Sequence, residues 1–126
     1  MKNVILAVNG TFMRGLELEN NLKEVNAVFL KESKTAPCFR LYSIDDKYPA
    51  MIEDIKGASI DVELYLISEE GMKEVLSKEP DGLTIDKIKL LNGEEVCGVI
   101  GLSYIVKGRK EITSYGGWRN YIKDVK

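Results

Sequence analysis

The sequence predicts a single α+β domain, a strongly curved sheet or small mixed β-barrel with two or three helices flanking it. Three observations carry this. Residues 27–67 break into short strand-like pieces joined by tight turns, which suits a curved sheet. Three other segments repeat apolar residues at helical spacing: Leu18, Leu22 and Val25; Met72, Val75 and Leu76; and Trp118, Tyr121, Ile122 and Val125. Finally, Asn92-Gly93 between two apolar runs is the strongest hairpin signal in the chain. The run after it is interrupted by Gly98 and Gly101, as where a sheet bends tightly.

Taken in order, residues 3–8 are apolar after Asn3 and rich in β-branched side chains, as for a strand covered on both faces. Gly10 and Gly15 bracket the loop that follows, and a helix then runs to about Asn26, a residue suited to a helix end. Ala36-Pro37 separates two strand-like stretches, Asp45-Asp46-Lys47 forms a turn, and Pro49 opens a further short run. Residues 59–67 alternate, with Ile60, Val62, Leu64 and Leu66 inward and Asp61, Glu63 and Tyr65 outward. Ser68 is the expected N-cap of the second helix, with Glu69 and Glu70 in its dipole-favoured first turn. Pro80 should end that helix at Glu79. In residues 83–91 the apolar phase slips between Ile85 and Ile88, which suggests a bulge near Asp86-Lys87.

The chain's 126 residues fit one core and exclude two, so residues 1–126 are read as one domain. With 18 Lys and Arg against 20 Asp and Glu there is no broad basic field, so nucleic acid is not an expected partner. Apolar runs of about five residues are too short to span a membrane. The N-terminal run is too short for a signal peptide, and the expected location is the cytoplasm. Cys38 and Cys97 are read as free thiols, with Cys97 a small buried hydrophobe. Without histidine or a Cys-x-x-Cys pair, no metal and no cofactor is expected. Any proton transfer near neutral pH then falls to Glu, Asp, Lys, Tyr or Cys.

Among those, Glu79 stands out. It lies seven residues after Met72 and so returns to the apolar face of its helix, where a carboxyl acquires a raised pKa suited to acid/base work. The alternative is that the chain has turned at Pro80 and Glu79 is in water. The Asn9, Gly10, Thr11, Phe12 and Met13 loop, at the end of a buried strand, is the candidate anion cradle; a plain strand-to-helix turn is the competing reading. Arg40 is a candidate carboxylate ligand on a strand face that is otherwise simply solvated. Tyr115 precedes two glycines and a helix start, within reach of a ligand, while Trp118 reads as core. Asp61 and Glu63 read as the wet side of an amphipathic strand rather than a carboxylate pair.

Four motifs resemble, in order, the C-terminal domain of allophanate hydrolase. They are Asn9-Gly10-Thr11-Phe12-Met13-Arg14-Gly15; Thr35-Ala36-Pro37 with Phe39-Arg40-Leu41-Tyr42-Ser43-Ile44; Glu79-Pro80-Asp81-Gly82-Leu83; and Glu111-Ile112-Thr113-Ser114-Tyr115-Gly116-Gly117-Trp118-Arg119-Asn120-Tyr121. Together they cover nearly the whole chain. The resemblance implies the γ-glutamylcyclotransferase-like fold, an α+β arrangement with a small mixed barrel. In cyclotransferases the first loop reads Tyr-Gly-Ser-Leu and its amides hold the substrate carboxylate; the matching positions here are Asn9, Gly10, Thr11 and Phe12. Asn9 departs from that pattern and follows the allophanate hydrolase one. The cyclotransferase acid/base glutamate falls on Glu79.

The resemblance therefore implies a small enzyme acting on a compact carboxylated amide or carbamate, for example decarboxylating an N-carboxy intermediate of urea or allophanate breakdown. Its ligand would be a small carboxylate-bearing molecule, and a separately encoded amidase would be its partner, since these residues contain no amidase domain. The alternatives are a non-catalytic binding or assembly module for an amidase, and a γ-glutamylcyclotransferase.

Overall fold

The computed structural model describes residues 2–125, which form eight strands and four α-helices. Strand β1 (Asn3–Val8) occupies the middle of a five-stranded sheet, antiparallel to β5 (Asp61–Ser68) and parallel to β7 (Glu95–Gly101). Its central place explains its unbroken apolar run: Leu6, Ala7 and Val8 have no exposed surface. The edges are β2 (Val28–Lys34), beside β5, and β6 (Leu83–Lys89), beside β7. A three-stranded sheet holds β3 (Phe39–Ile44) between β4 (Tyr48–Glu53) and the two-residue β8 (Lys110–Glu111).

The sheets do not close into the expected barrel. The two edges of the large sheet meet at a single bridge, Thr35 with Leu90, reinforced by the Ala36 amide donating to the Lys89 carbonyl at 2.9 Å and Leu91 to Lys34 at 3.0 Å. Pro37 removes a backbone donor just beyond that bridge, and a bulge at Leu30 breaks the β2 register. The result is a curled but open sheet.

Helix α1 (Glu19–Glu24) buries Leu22, and the chain leaves it through Asn26, which takes a left-handed φ of 60°. Helix α2 (Glu69–Ser77) starts on Ser68, whose hydroxyl accepts from the Gly71 amide at 2.9 Å. A short α3 (Ser103–Val106) and a 3-10 turn (Thr113–Tyr115) precede α4 (Trp118–Val125). Trp118 and Tyr121 of α4 are fully enclosed with Leu22, Leu41, Met51, Ile60, Ile67 and Ile112, so the first half of that apolar stripe is core, while Ile122 is half-buried and Val125 exposed. Among the described residues no helix is long and apolar enough to cross a membrane.

Two expected details differ. The β6–β7 ladder runs from Leu83 opposite Gly101 to Lys89 opposite Glu95 with no bulge at Asp86-Lys87. The phase slip marks a change of covered face along this edge strand: Leu83 and Ile85 are half-buried at one parity, Ile88 and Leu90 buried at the other. The second difference is that the outward face of β5 is covered at Tyr65, 4% exposed, and with it at Glu63, which is not on a wet face. It is 2% exposed, because β5 lies inside the sheet and Arg14 and Arg119 cover its outer side.

Candidate functional site

The candidate site forms where the end of β1, the β3–β4 hairpin and the segment after α2 converge. Asp45 and Asp46 at the hairpin tip both take left-handed φ (55° and 58°), the pair a type I′ turn requires. This turn delivers Tyr48 and Pro49 onto the loop after β1. Contact is so close that a Cβ on Gly10 would lie 2.5 Å from Pro49 Cδ and 2.6 Å from Cγ. Gly10 is therefore needed for the approach of the hairpin rather than for a left-handed backbone, which Gly15 adopts instead (φ 79°).

The loop itself is a tight turn, closed by the Met13 amide donating to the Gly10 carbonyl at 3.0 Å and by Leu18 donating to Thr11 at 2.9 Å. Among the described residues no acceptor takes up the amides of Gly10, Thr11 or Phe12. Asn9 is buried; its carboxamide nitrogen donates to the Val99 carbonyl at 2.8 Å, which anchors the end of β1 to β7. On the far wall, α2 ends at Ser77 with Lys78 as its cap, so Glu79 is one residue beyond the helix. Its amide still donates to Leu76 at 3.1 Å, and the turn that follows returns the chain to β6. Glu79 thus shares a cleft with Asn9, Gly10, Thr11, Phe12, Tyr48, Pro49, Leu83 and Val99. The cleft encloses about 20 Å³, room for a single water.

Burial among these largely apolar walls pushes the Glu79 carboxyl up to about 7. The Tyr48 phenol is also raised, chiefly by burial, with Arg109 opposing and Asp45, Glu79 and Asp81 adding to the rise. Amides without an acceptor, in one cleft with a carboxyl that titrates near neutrality, can donate to an anionic group while the carboxyl exchanges a proton with it.

Not all the expected residues gather here. Arg40 donates to Asp54 at 2.7 Å and Glu111 at 2.8 Å in the three-stranded sheet, so its charge is spent on its neighbours. The Tyr115 hydroxyl donates to Asp124 of α4 at 2.7 Å. Met13 is buried and lines a separate cavity of about 630 Å³ with Glu63, Leu91, Trp118 and Arg119. Conversely, Tyr48, Pro49, Leu83 and Val99 were not singled out by sequence pattern. Pro49 directly after a turn was their only local cue, because the contact with Gly10 joins residues 39 positions apart.

Known proteins share this fold. The chain is 33% identical to the urea amidolyase of Lachancea kluyveri over 98% of its own length, although it spans only about 7% of that relative. Among solved structures, a uropathogenic E. coli-specific protein superposes with a TM-score of 0.95 at 42% identity, over 98% of both chains. The allophanate hydrolase of Kluyveromyces lactis superposes with a TM-score of 0.92 at 27% identity, over all of this chain and 22% of the other. A γ-glutamyl cyclotransferase, at 9% identity and a TM-score of 0.54, shares the fold alone. The fold is γ-glutamylcyclotransferase-like. Residues 4–123 match the model of the allophanate hydrolase C-terminal domain, and the chain belongs to that family.

Proposed function

We propose that this chain is a small-molecule enzyme acting on a compact N-carboxylated amide or carbamate, of the kind that arises in the breakdown of urea and allophanate. The observation that carries the reading is the Glu79 carboxyl, raised to about 7, in one cleft with the unpaired amides of Gly10, Thr11 and Phe12. These amides hold a substrate carboxylate. As the N–CO₂ bond breaks, its electron pair stays on nitrogen, and protonated Glu79 supplies the proton that nitrogen needs. Carbon dioxide leaves, and solvent reprotonates Glu79. Family membership supports this substrate class, as does the position of the domain inside larger relatives named for allophanate and urea. By the same reasoning, an amidase that supplies the N-carboxylated substrate is the partner, and the cytoplasm the place.

The water-sized cleft supports a second reading, a non-catalytic module that binds an amidase and turns nothing over. Two measurements separate the two. Malonate, a dicarboxylate of similar shape, should raise the melting temperature, with stabilisation of about 2.7 kcal/mol at one hundred times Kd. In an assay coupled to an amidase, Glu79→Gln should lower carbon dioxide release by about 10²-fold or more while malonate still binds. Equal rates for Glu79→Gln and wild type would remove the acid/base role. No malonate response together with no release would favour the module.

A further inference from the structure

Arg14, at the exit of the candidate loop, has both halves of its backbone captured by two distant side chains. Its amide donates to Glu63 Oε1 at 2.8 Å, and its carbonyl accepts from Arg119 Nη2 at 3.0 Å. The same Arg119 nitrogen donates to Glu63 Oε2 at 2.9 Å, and Arg14 Nε lies 3.5 Å from Oε1. Glu63 comes from β5 and Arg119 from α4, so one short network joins the loop to both. The Glu63 side chain is 3% exposed, whereas Arg14 and Arg119 keep 43% and 38% of theirs in solvent.

A buried ion pair adds little net stability over apolar residues of the same volume, because desolvation offsets the attraction. Nor do β5 and α4 need it for placement. β5 is paired along its length to β1 and β2, and α4 is seated by Trp118 and Tyr121. What the network adds is a hold on the backbone of residue 14, one peptide beyond the turn with the three free amides; the Arg14 side chain is held separately, by Glu32 at 2.9 Å and over the Phe29 ring.

We infer that Glu63 and Arg119 are positioning residues, which clamp Arg14 and thereby aim the amides of Gly10, Thr11 and Phe12 into the Glu79 cleft. The inference rests on the carboxylate-cradle reading of that cleft, yet the clamp has a readout that needs no ligand. Neither residue touches the substrate; each acts through the loop. A charge-assisted bond from a buried carboxylate holds a backbone amide with defined direction, and an error of about 1 Å in a binding group costs up to roughly 10²-fold in effectiveness.

Glu63→Gln and Arg119→Lys are compared with wild type and with Lys34→Met, which removes the ion pair between Lys34 and Asp61 on the same β2–β5 ladder. Backbone amide NMR resonances and hydrogen exchange of residues 10–14 are recorded without ligand, and malonate affinity is then measured. In both clamp variants the amides of residues 10–14 should shift and exchange faster, and malonate affinity should fall about tenfold. Lys34→Met should leave both unchanged. If Glu63→Gln does not fold, Arg119→Lys decides, since it keeps the charge at a partly exposed position. Unmoved amides at residues 10–14 in the folded variants would overturn the clamp, whatever malonate does. Moved amides in the variants, together with a wild-type protein that does not bind malonate, would uphold the clamp and reject the cradle.

Discussion

Glu79 owes its raised pKa to where α2 stops. The helical wheel points to this residue by placing it on the apolar face, but the helix has ended at Ser77, and the turn through Pro80 and Gly82 sets Glu79 against Leu83 and Val99 instead. The physics that raises its pKa is desolvation in either case, so helical spacing was a usable guide even though its geometry was not the operative one. A consequence for stability follows. The folded-state pKa of about 7 lies above the ordinary 4.5, so between those values the folded chain holds a proton that the unfolded chain has lost. Stability should therefore fall as pH rises from 4.5 to 7, by on the order of 2–3 kcal/mol after allowance for the partial exposure of the group. Glu79→Gln should flatten this part of the profile and be the more stable protein at pH 8, as read by urea midpoints across pH. A wild-type profile that rises over that window would contradict the burial of this carboxyl. Glu63 teaches the opposite lesson. Period-2 alternation assigned it to solvent, and nothing local in the sequence shows that two arginines, 49 and 56 residues away, would cover it.

Most elements were legible because their causes are local. Ser68 caps α2 as its position before Glu69 and Glu70 implies, and Asn92-Gly93 makes the β6–β7 hairpin, with Gly93 at φ 92° and its amide bonded to Leu90 at 2.9 Å. The cleft was legible only in part, because the β3–β4 hairpin reaches it through tertiary contact. That contact depends on a missing side chain. Gly10→Ala would drive a methyl into Pro49 and should cost about 1–3 kcal/mol, through overpacking rather than backbone strain. Removing the obstruction with Pro49→Ala should recover part of the loss, giving a favourable coupling of about 1 kcal/mol in a double-mutant cycle of unfolding free energies. Additive losses would mean that the hairpin and the loop do not press on one another. Arg40 shows the same limit from another side. A strand arginine looks available in sequence, yet Asp54 and Glu111 arrive from two other segments to occupy it.

At the scale of the whole molecule, the curvature was readable from short strands and glycines, whereas closure was not. Whether a curled sheet seals depends on how its two edges meet, and here, among the described residues, they meet only around the Thr35–Leu90 bridge. That leaves β2 with a free edge bearing the exposed Val28 and Leu30, a surface on which another chain's strand could align. The bulge alters that prospect. Leu30 is an extra residue between Phe29 opposite Tyr65 and Lys31 opposite Leu64, so the ladder of outward donors and acceptors is out of step along its length. Deleting Leu30 would bring Phe29 and Lys31 into continuous pairing and straighten the edge. The shortened protein should keep its melting transition yet self-associate as concentration rises, seen as a growing sedimentation coefficient, while the parent stays constant. One inserted leucine would then serve as the chain's guard against fibre-like growth, and crowded cellular conditions are where its loss would be felt first.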